Sequence, residues 1–420
     1  MSLIQKKIFY GWVVVIALFF VYAVIMGANI SFGVFFNSLE NEFSLTRAAT
    51  SSVLSFRMIS GAAIAFLGGW AIDRYGPRLI VLFMGVFTSL GLILTSQTNS
   101  TWQLFITLGL LLSIGGGASY VTVMATSMRW FEKRRGAAVG IVGAGGGMGQ
   151  ITFAPFAAYL IQAFDWRTAY LAMGILAGLV LVPISWLIKK DPRAIGTVPD
   201  GEESGRVFNG ASESLHTEQG SLHALFSMPR AFRTRNFYLI LSLWFTTAFS
   251  LFLIQTHIVP HALDLGFSPV QSALILSLFG IAVMIGMLFI GVASDRIDRK
   301  KVAITNSLFQ IGAILLLFMG GGLRNLYLFA IIYGLAQGGV SSATTALIGD
   351  IFGVSNVGKL MGILSVGWAI GAGTGPLIGG LIFDISSSYN GAFLFTAAIL
   401  GTRPLLLILL RHDTHKPAFN

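Results

Sequence analysis

The sequence predicts an all-α membrane protein with twelve transmembrane helices arranged as two six-helix bundles. Its 420 residues are 55% hydrophobic and only 10% charged, whereas soluble domains have about a quarter charged residues. Twelve apolar runs have about the 20 residues that a helix needs to cross a bilayer. This composition excludes a soluble enzyme and a disordered protein, and the absence of cysteine excludes a disulfide scaffold.

The apolar runs come in two groups of six. Each run is too long and too continuous for a barrel strand. A polar stretch rich in Gly, Ser, Glu and Arg, residues 189–236, separates an N-terminal bundle at 1–188 from a C-terminal bundle at 237–420, so we interpret it as a cytoplasmic linker. The twelve predicted spans are 8–36, 46–70, 79–97, 103–128, 137–163, 168–188, 237–262, 270–293, 302–322, 326–349, 359–383 and 392–410.

The basic residues predict the orientation in the membrane. Of 27 Lys and Arg residues, 22 lie in loops on one side and three, Arg47, Arg167 and Arg324, on the other, while Arg57 and Arg403 fall inside spans. Cytoplasmic loops carry the excess of positive charge. We therefore expect both termini in the cytoplasm and a multi-pass protein of the cell (inner or plasma) membrane. The net charge of +10 is explained by these loops, and no nucleic-acid partner is expected.

A short motif occurs twice, 222 residues apart, after spans 2 and 8. Both copies read G-x-x-x-D-R and run into a basic turn. The Gly allows close helix approach, and the Asp can accept hydrogen bonds from a helix N-terminus. Two matched copies favour a latch on the cytoplasmic side, closed in the outward-facing state, over simple basic turns. The latch residues are Asp73, Arg74, Arg78, Asp295, Arg296 and Arg299, with Arg129 as a partner.

These two copies resemble the loop 2–3 and loop 8–9 motifs of the major facilitator superfamily. Three further stretches, Tyr10–Trp12, Arg129–Gly149 and His257–Pro260, resemble the monocarboxylate porter and bacterial oxalate/formate-type group. The resemblance implies the major facilitator fold and proton-linked or exchange transport of small organic anions. In the second copy Asp298 replaces the usual Gly, so we expect a less tight turn there. The glycines of span 5 are expected to allow tight packing against another helix.

Arg57 is the main candidate for the substrate anchor. It lies 11 residues after Thr46 and 16 before Asp73, or about 24 Å from the latch by helical rise. An ionisable group at this depth is usually functional, and a guanidinium can hold a carboxylate through two hydrogen bonds. A purely structural arginine remains the alternative. For Arg403, which precedes Pro404 in span 12, the structural or snorkelling interpretation is favoured.

The resemblance also implies anchors that this chain lacks. Related carriers place an Arg in span 8, eight residues before the motif Asp, where this chain has Met287. Four residues earlier, Val283 replaces an acid or amide, and Trp368 replaces the Lys of the oxalate carriers. A dicarboxylate such as oxalate is therefore not expected. Either Arg57 acts as the anchor, or the substrate is not a simple small carboxylate.

Polar and aromatic side chains in the spans complete the predicted binding site. Helix–helix packing is the alternative for each of them. Tyr22 and Asn29 lie seven residues apart on one face of span 1. Tyr120 and Tyr333 occupy corresponding helices of the two halves. The substrate-binding candidates are therefore Arg57, Tyr22, Asn29, Tyr120, Tyr333, Gln337 and Trp368.

His257 is the candidate for proton coupling. With no acid in a span centre, it is the one group near the path that titrates near neutral pH. An interfacial His beside Pro260 is the alternative. The six His residues show no metal-ligand spacing, so neither a metal nor another cofactor is expected.

The sequence thus predicts a secondary active transporter and not an enzyme. It would move a small organic anion, with a monocarboxylate as the expected class, by alternating access, coupled to protons or by exchange. We expect a monomer whose partners are the substrate, protons and the lipid bilayer. The alternatives are a carrier or efflux pump for neutral or amphipathic compounds, and a non-transporting substrate sensor.

Overall fold

The computed structural model describes residues 9–131, 134–198, 200, 234–294, 297–319, 322–352 and 357–410. Within these ranges the chain is helical and has no β-strand, which confirms the predicted fold class. Most of the predicted linker at 189–236, together with Asp295 and Arg296 of the second motif copy, lies outside the described residues.

Twelve helical segments follow the twelve predicted spans. Eleven of those described are long and apolar enough to cross a membrane, whereas α9 begins with Arg299, Lys300 and Lys301. In chain order they are α1 Tyr10–Ile30 continuing as Phe32–Phe43, α2 Arg47–Tyr75, α3 Pro77–Thr95, α4 Thr101–Trp130, α5 Arg135–Ala163, α6 Trp166–Leu187, α7 Arg235–Asp264, α8 Pro269–Ser294, α9 Arg299–Leu316, α10 Leu323–Phe352, α11 Val357–Ser386 and α12 Asn390–Leu409.

The ends of several helices differ from the predicted spans, and two of the differences concern α1 and α4. α1 continues seven residues past the expected end at Phe36, so Glu40 and Glu42 lie on a helix and not in a loop. α4 contains a π-helical segment, Phe105–Leu111, between shorter α-helical pieces. Neither change alters the number of segments.

The chain divides into two compact units. The first comprises Met1–Ser204 and Gln255–Ile281, and the second comprises Gly205–Ile254 and Ala282–Asn420. The division falls within α7 and α8. The last turns of α7 and the first half of α8 therefore pack with the first unit.

The same pattern of glycine contacts occurs within each unit, at a constant offset in residue number. In the first unit α5 packs so closely on α1 that a Cβ at Gly145 or Gly149 would overlap the carbonyl oxygen of Phe19 or Ala23. In the second unit α11 packs on α7 in the same way, with all four residues offset by 226 positions: Gly371, Gly375, Phe245 and Phe249. Small residues allow this close approach between membrane helices. The expected tight packing of the span 5 glycines is thereby confirmed, with α1 as the partner.

The turns of the two motif copies are built differently. Gly76 links α2 to α3 at φ +82°, a conformation that favours glycine, and Pro77 begins α3. In the second copy Asp298 has φ −52°, and its side chain caps α9 by accepting from the backbone N–H groups of Lys300 and Lys301. Aspartate thus replaces the glycine turn by an N-cap.

Candidate functional site

Arg57 is buried inside the first unit beside neutral groups. Only 4% of the residue is exposed, and its guanidinium donates a hydrogen bond to the Asn29 side-chain oxygen on α1. Ser113 of α4 donates to the Arg57 carbonyl oxygen over 2.9 Å and so ties α2 to α4. In the described part of the chain no acid pairs with Arg57. The sequence-predicted residues Arg57 and Asn29 are therefore brought together.

A buried tyrosine accompanies this pair. Tyr170 of α6 is close enough to Arg57 to interact with it electrostatically. Its ring stacks on Phe35 at a centroid distance of 3.7 Å, and its buried hydroxyl has no hydrogen-bond partner among the described residues. An unpartnered buried hydroxyl is costly unless a ligand or water satisfies it. Tyr170 was not singled out from the sequence, because an aromatic residue near a span end more often belongs to the interface belt.

The structure also pairs the two other candidates of the first unit. Tyr22 of α1 and Tyr120 of α4 lie 6.4 Å apart between ring centroids. Tyr22 is half-buried, while Tyr120 is exposed. Together they offer an aromatic surface to an apolar group.

A cluster of ionic contacts lies at the end of the helices opposite the basic loops, which we call the outer end. Arg47 at the start of α2 donates two hydrogen bonds to Asp264 at the end of α7, at 2.7 and 2.8 Å. Its Nε also contacts Glu40 of α1 at 3.3 Å. We call Glu40, Arg47 and Asp264 the outer cluster. A bidentate Arg–carboxylate pair is among the strong ionic contacts, and it joins α7 to α2 here.

His257 lies on α7 seven residues before Asp264, further from the outer end, and is fully buried. Its Nε2 is 3.5 Å from the Ser51 hydroxyl of α2, and its ring lies edge-on to Phe36 at 5.4 Å. The helices are in close contact here, because a Cβ at Gly33 would lie 2.8 Å from the Gln255 carbonyl oxygen. His257 therefore sits in a packed contact between α7, α1 and α2.

In the second unit the predicted residues belong to two clusters. Tyr333 and Gln337 of α10 are buried, at 0% and 2% exposure, next to a polar network centred on Arg403. Trp368 of α11 is half-buried and lies 6.0 Å from Trp244 and 6.2 Å from Phe252 between ring centroids.

Arg403 itself is fully buried, with hydrogen bonds to α7 and α9. Snorkelling of Arg403 to the membrane surface is thus excluded. Met287, where the resemblance to the monocarboxylate porter group implies an arginine, is 47% exposed.

The predicted latch is described only in part. Arg74 is exposed and lies over the rings of Trp70 and Tyr75, at 5.4 and 5.6 Å. Arg78 is exposed, whereas Arg129 and Arg299 are half-buried. The side chain of Asp73 and the whole of Asp295 and Arg296 lie outside the described residues, so the latch remains a prediction.

Comparison with known proteins places the chain among transporters. A sequence model of the Major Facilitator Superfamily matches residues 18–323 and 254–420. The chain is 25% identical over 416 residues to monocarboxylate transporter 13 of Bos taurus, covering 96% of this chain and 90% of that protein. It is 26% identical to monocarboxylate transporter 12 of Xenopus laevis, covering 92% and 85%.

Solved structures agree with the fold. A bacterial homologue of the human lysosomal transporter Spinster, solved in an inward-facing and unoccupied conformation, has a TM-score of 0.74 at 16% identity, covering 95% of this chain and 96% of that one. A D-xylose–proton symporter has the same TM-score at 13% identity, with coverage of 95% and 97%.

Proposed function

Because this chain belongs to the Major Facilitator Superfamily, a superfamily of transporters, we propose that it carries a small organic anion across the membrane by alternating access. The expected substrate class is a monocarboxylate, the class in the names of its relatives. Transport would be coupled to protons or proceed by exchange. The basic residues in the loops support an orientation with both termini in the cytoplasm.

The observation that carries the proposal is the buried Arg57. A guanidinium at low dielectric is costly unless its charge is compensated, and here its one hydrogen bond among the described residues goes to a neutral amide. A substrate carboxylate would supply the missing negative charge. Asn29 would be displaced as the carboxylate enters, and the unpartnered Tyr170 hydroxyl would donate a further hydrogen bond.

The remaining predicted residues have separate roles. The aromatic pair of Tyr22 and Tyr120 would contact the apolar body of the substrate, and Trp368 with Trp244 is a second candidate for such a contact. His257 would exchange a proton when its contact with Ser51 opens. The two basic motif turns would close the opposite side.

The test is transport in liposomes containing the purified protein. We expect saturable counterflow of labelled L-lactate or benzoate, chosen as an aliphatic and an aromatic monocarboxylate. Arg57→Gln should lower uptake at least about 100-fold, the factor for two charge-assisted hydrogen bonds of about 1.5 kcal/mol each. Arg57→Lys keeps the charge but not the bidentate geometry, so it should retain a fraction of the activity.

Two results would contradict the proposal. Wild-type uptake by a folded Arg57→Gln protein would remove Arg57 from the site. Saturable binding without counterflow would instead support a substrate sensor.

A carrier for neutral or amphipathic compounds is the second candidate, and Met287 is the observation that favours it. This exposed, apolar side chain replaces the family arginine. Uptake or efflux of a neutral amphipathic dye, with no response to either acid, would support this candidate.

A further inference from the structure

The second unit contains a buried cation that the proposed anchor does not use. Arg403 of α12 is fully buried and donates to Gln310 Oε1 at 2.5 Å, to the Ser250 hydroxyl at 2.7 Å and to the Thr246 carbonyl oxygen at 3.0 Å. Its Nε lies 3.4 Å from the Thr246 hydroxyl. All these partners are neutral, and no acid pairs with Arg403 among the residues that the structure describes.

The guanidinium fixes the direction of the hydrogen bonds that lead away from it. Because arginine can only donate, the Gln310 amide must turn its oxygen to Arg403 and its nitrogen away. That nitrogen donates to Gln337 Oε1 on α10 at 2.6 Å. The Gln337 nitrogen in turn points to the Ser341 hydroxyl, at 3.3 Å.

The chain of bonds leads from the interior of the unit towards its surface. Arg403 and Gln310 are fully buried, Gln337 is 2% exposed, and Ser341 is half-buried. The next residue, Ser342, donates to the Met287 carbonyl oxygen at 3.3 Å. We call the bonds from Arg403 through Gln310 and Gln337 to Ser341 the relay. The residue that follows its end in the sequence is thus bonded to the stretch of α8 in which the resemblance implies an arginine.

We propose that Arg403 is a positioning residue that acts through Gln310 to make Gln337 a hydrogen-bond donor, so that this face of α10 favours an anion. This inference rests on the proposed function, because a donor matters only to a substrate with negative charge. The guanidinium itself stays buried, and the Gln310 and Gln337 amides pass on the direction of its hydrogen bonds. With the amides reversed, Gln337 would present an oxygen, which repels a carboxylate. A purely structural Arg403 would hold the helices together without setting this direction.

Gln310→Glu separates the two roles. The new carboxylate still accepts from Arg403, so the helix contacts remain, but it cannot donate to Gln337. The Gln337 amide must then turn over, with its nitrogen towards position 310 and its oxygen towards Ser341. We expect the KM for L-lactate or benzoate to rise about 10- to 100-fold, the factor for one hydrogen bond to a charged group, with kcat within about twofold. Thr246 contacts Arg403 but is not part of the relay, so Thr246→Val should leave KM unchanged.

A second measurement tests the direction of the relay without transport. The thermal midpoint of Gln310→Glu should be at or above that of the wild type, because an oxygen already faces Arg403 and the new carboxylate compensates its charge, whereas Gln310→Lys should melt well below the wild type. Equal melting of the two variants, or a Gln310→Glu protein that does not fold, would overturn the relay.

The transport result distinguishes the two proposals. A wild-type protein that moves neither acid contradicts the proposed function, and the melting comparison still decides the relay. A wild-type protein that moves them, with KM unchanged in Gln310→Glu, overturns the relay and leaves the proposed function standing.

Discussion

Asp264→Asn is expected to loosen the contact between α7 and α2 at the outer end. The substitution keeps the shape of the side chain but removes the charge that Arg47 binds at 2.7 and 2.8 Å. Breaking an exposed ion pair costs about 0–1 kcal/mol, and breaking a buried one about 3–5 kcal/mol. The side chains of Arg47 and Asp264 are 8% and 33% exposed, and Glu40 still contacts Arg47. We therefore expect about 1.5 kcal/mol, or roughly a tenfold shift towards the open contact.

The absence of cysteine makes this shift measurable. Thr50 lies one turn after Arg47, is 1% exposed, and bonds only within its own helix, to the Thr46 carbonyl oxygen. A Thr50→Cys thiol should therefore react with a membrane-impermeant maleimide only when the contact opens. Adding Asp264→Asn should raise the labelling rate about tenfold.

A second outer ion pair provides the control. Glu42 of α1 contacts Arg167 of α6 at 2.7 Å and is not part of the contact with α7. Glu42→Gln should leave labelling of the Thr50→Cys protein unchanged. Equal labelling with and without Asp264→Asn, or an equal increase with Glu42→Gln, would refute the assignment of Asp264 to the outer contact.

Two further substitutions test the proton site and the helix packing. His257→Gln should abolish the stimulation of uptake by a proton gradient while leaving counterflow at equal pH intact, because glutamine cannot carry a proton; wild-type stimulation by the gradient would remove His257 from coupling. Gly149→Ala should lower the melting temperature, because its Cβ would overlap the Ala23 carbonyl oxygen, whereas Gly140→Ala, with nothing within 4 Å, should not; equal melting of both variants would contradict the packing argument.

The fold was largely predictable because membrane helices are specified by local sequence. About 20 apolar residues in lipid have no alternative to a helix, so the predicted spans match the twelve segments. The ends of the helices were less predictable. α1 continues to Phe43 because Leu39, on the same helix as Glu40 and Glu42, is buried, and tertiary packing overrides the polar composition of that segment.

The site was predictable only in part, because contacts between distant helices leave no local pattern. Arg57 and Asn29 were both singled out, but their hydrogen bond joins residues on different helices. The outer cluster was missed, since Asp264 is 217 residues from Arg47 and looks like an ordinary span-end acid. Tyr22 was singled out with Asn29 on one face of span 1, and Tyr120 with Tyr333 in corresponding helices, so neither pattern predicted that the rings of Tyr22 and Tyr120 lie together.

Four of the five arginines away from the basic loops separate according to their hydrogen-bond and ion-pair partners. Arg47 and Arg167, at the outer ends of α2 and α6, are paired with acids, which remain charged at little cost near water. Arg57 and Arg403, in spans, have only neutral partners among the described residues. A carrier for neutral compounds gains nothing from two buried, uncompensated positive charges, and pairing each with an acid would lower their cost. An anion carrier gains from Arg57, because its substrate supplies the negative charge when it binds, and from Arg403 through the amides that it orients. The partners of these two arginines therefore favour an anionic substrate despite Met287.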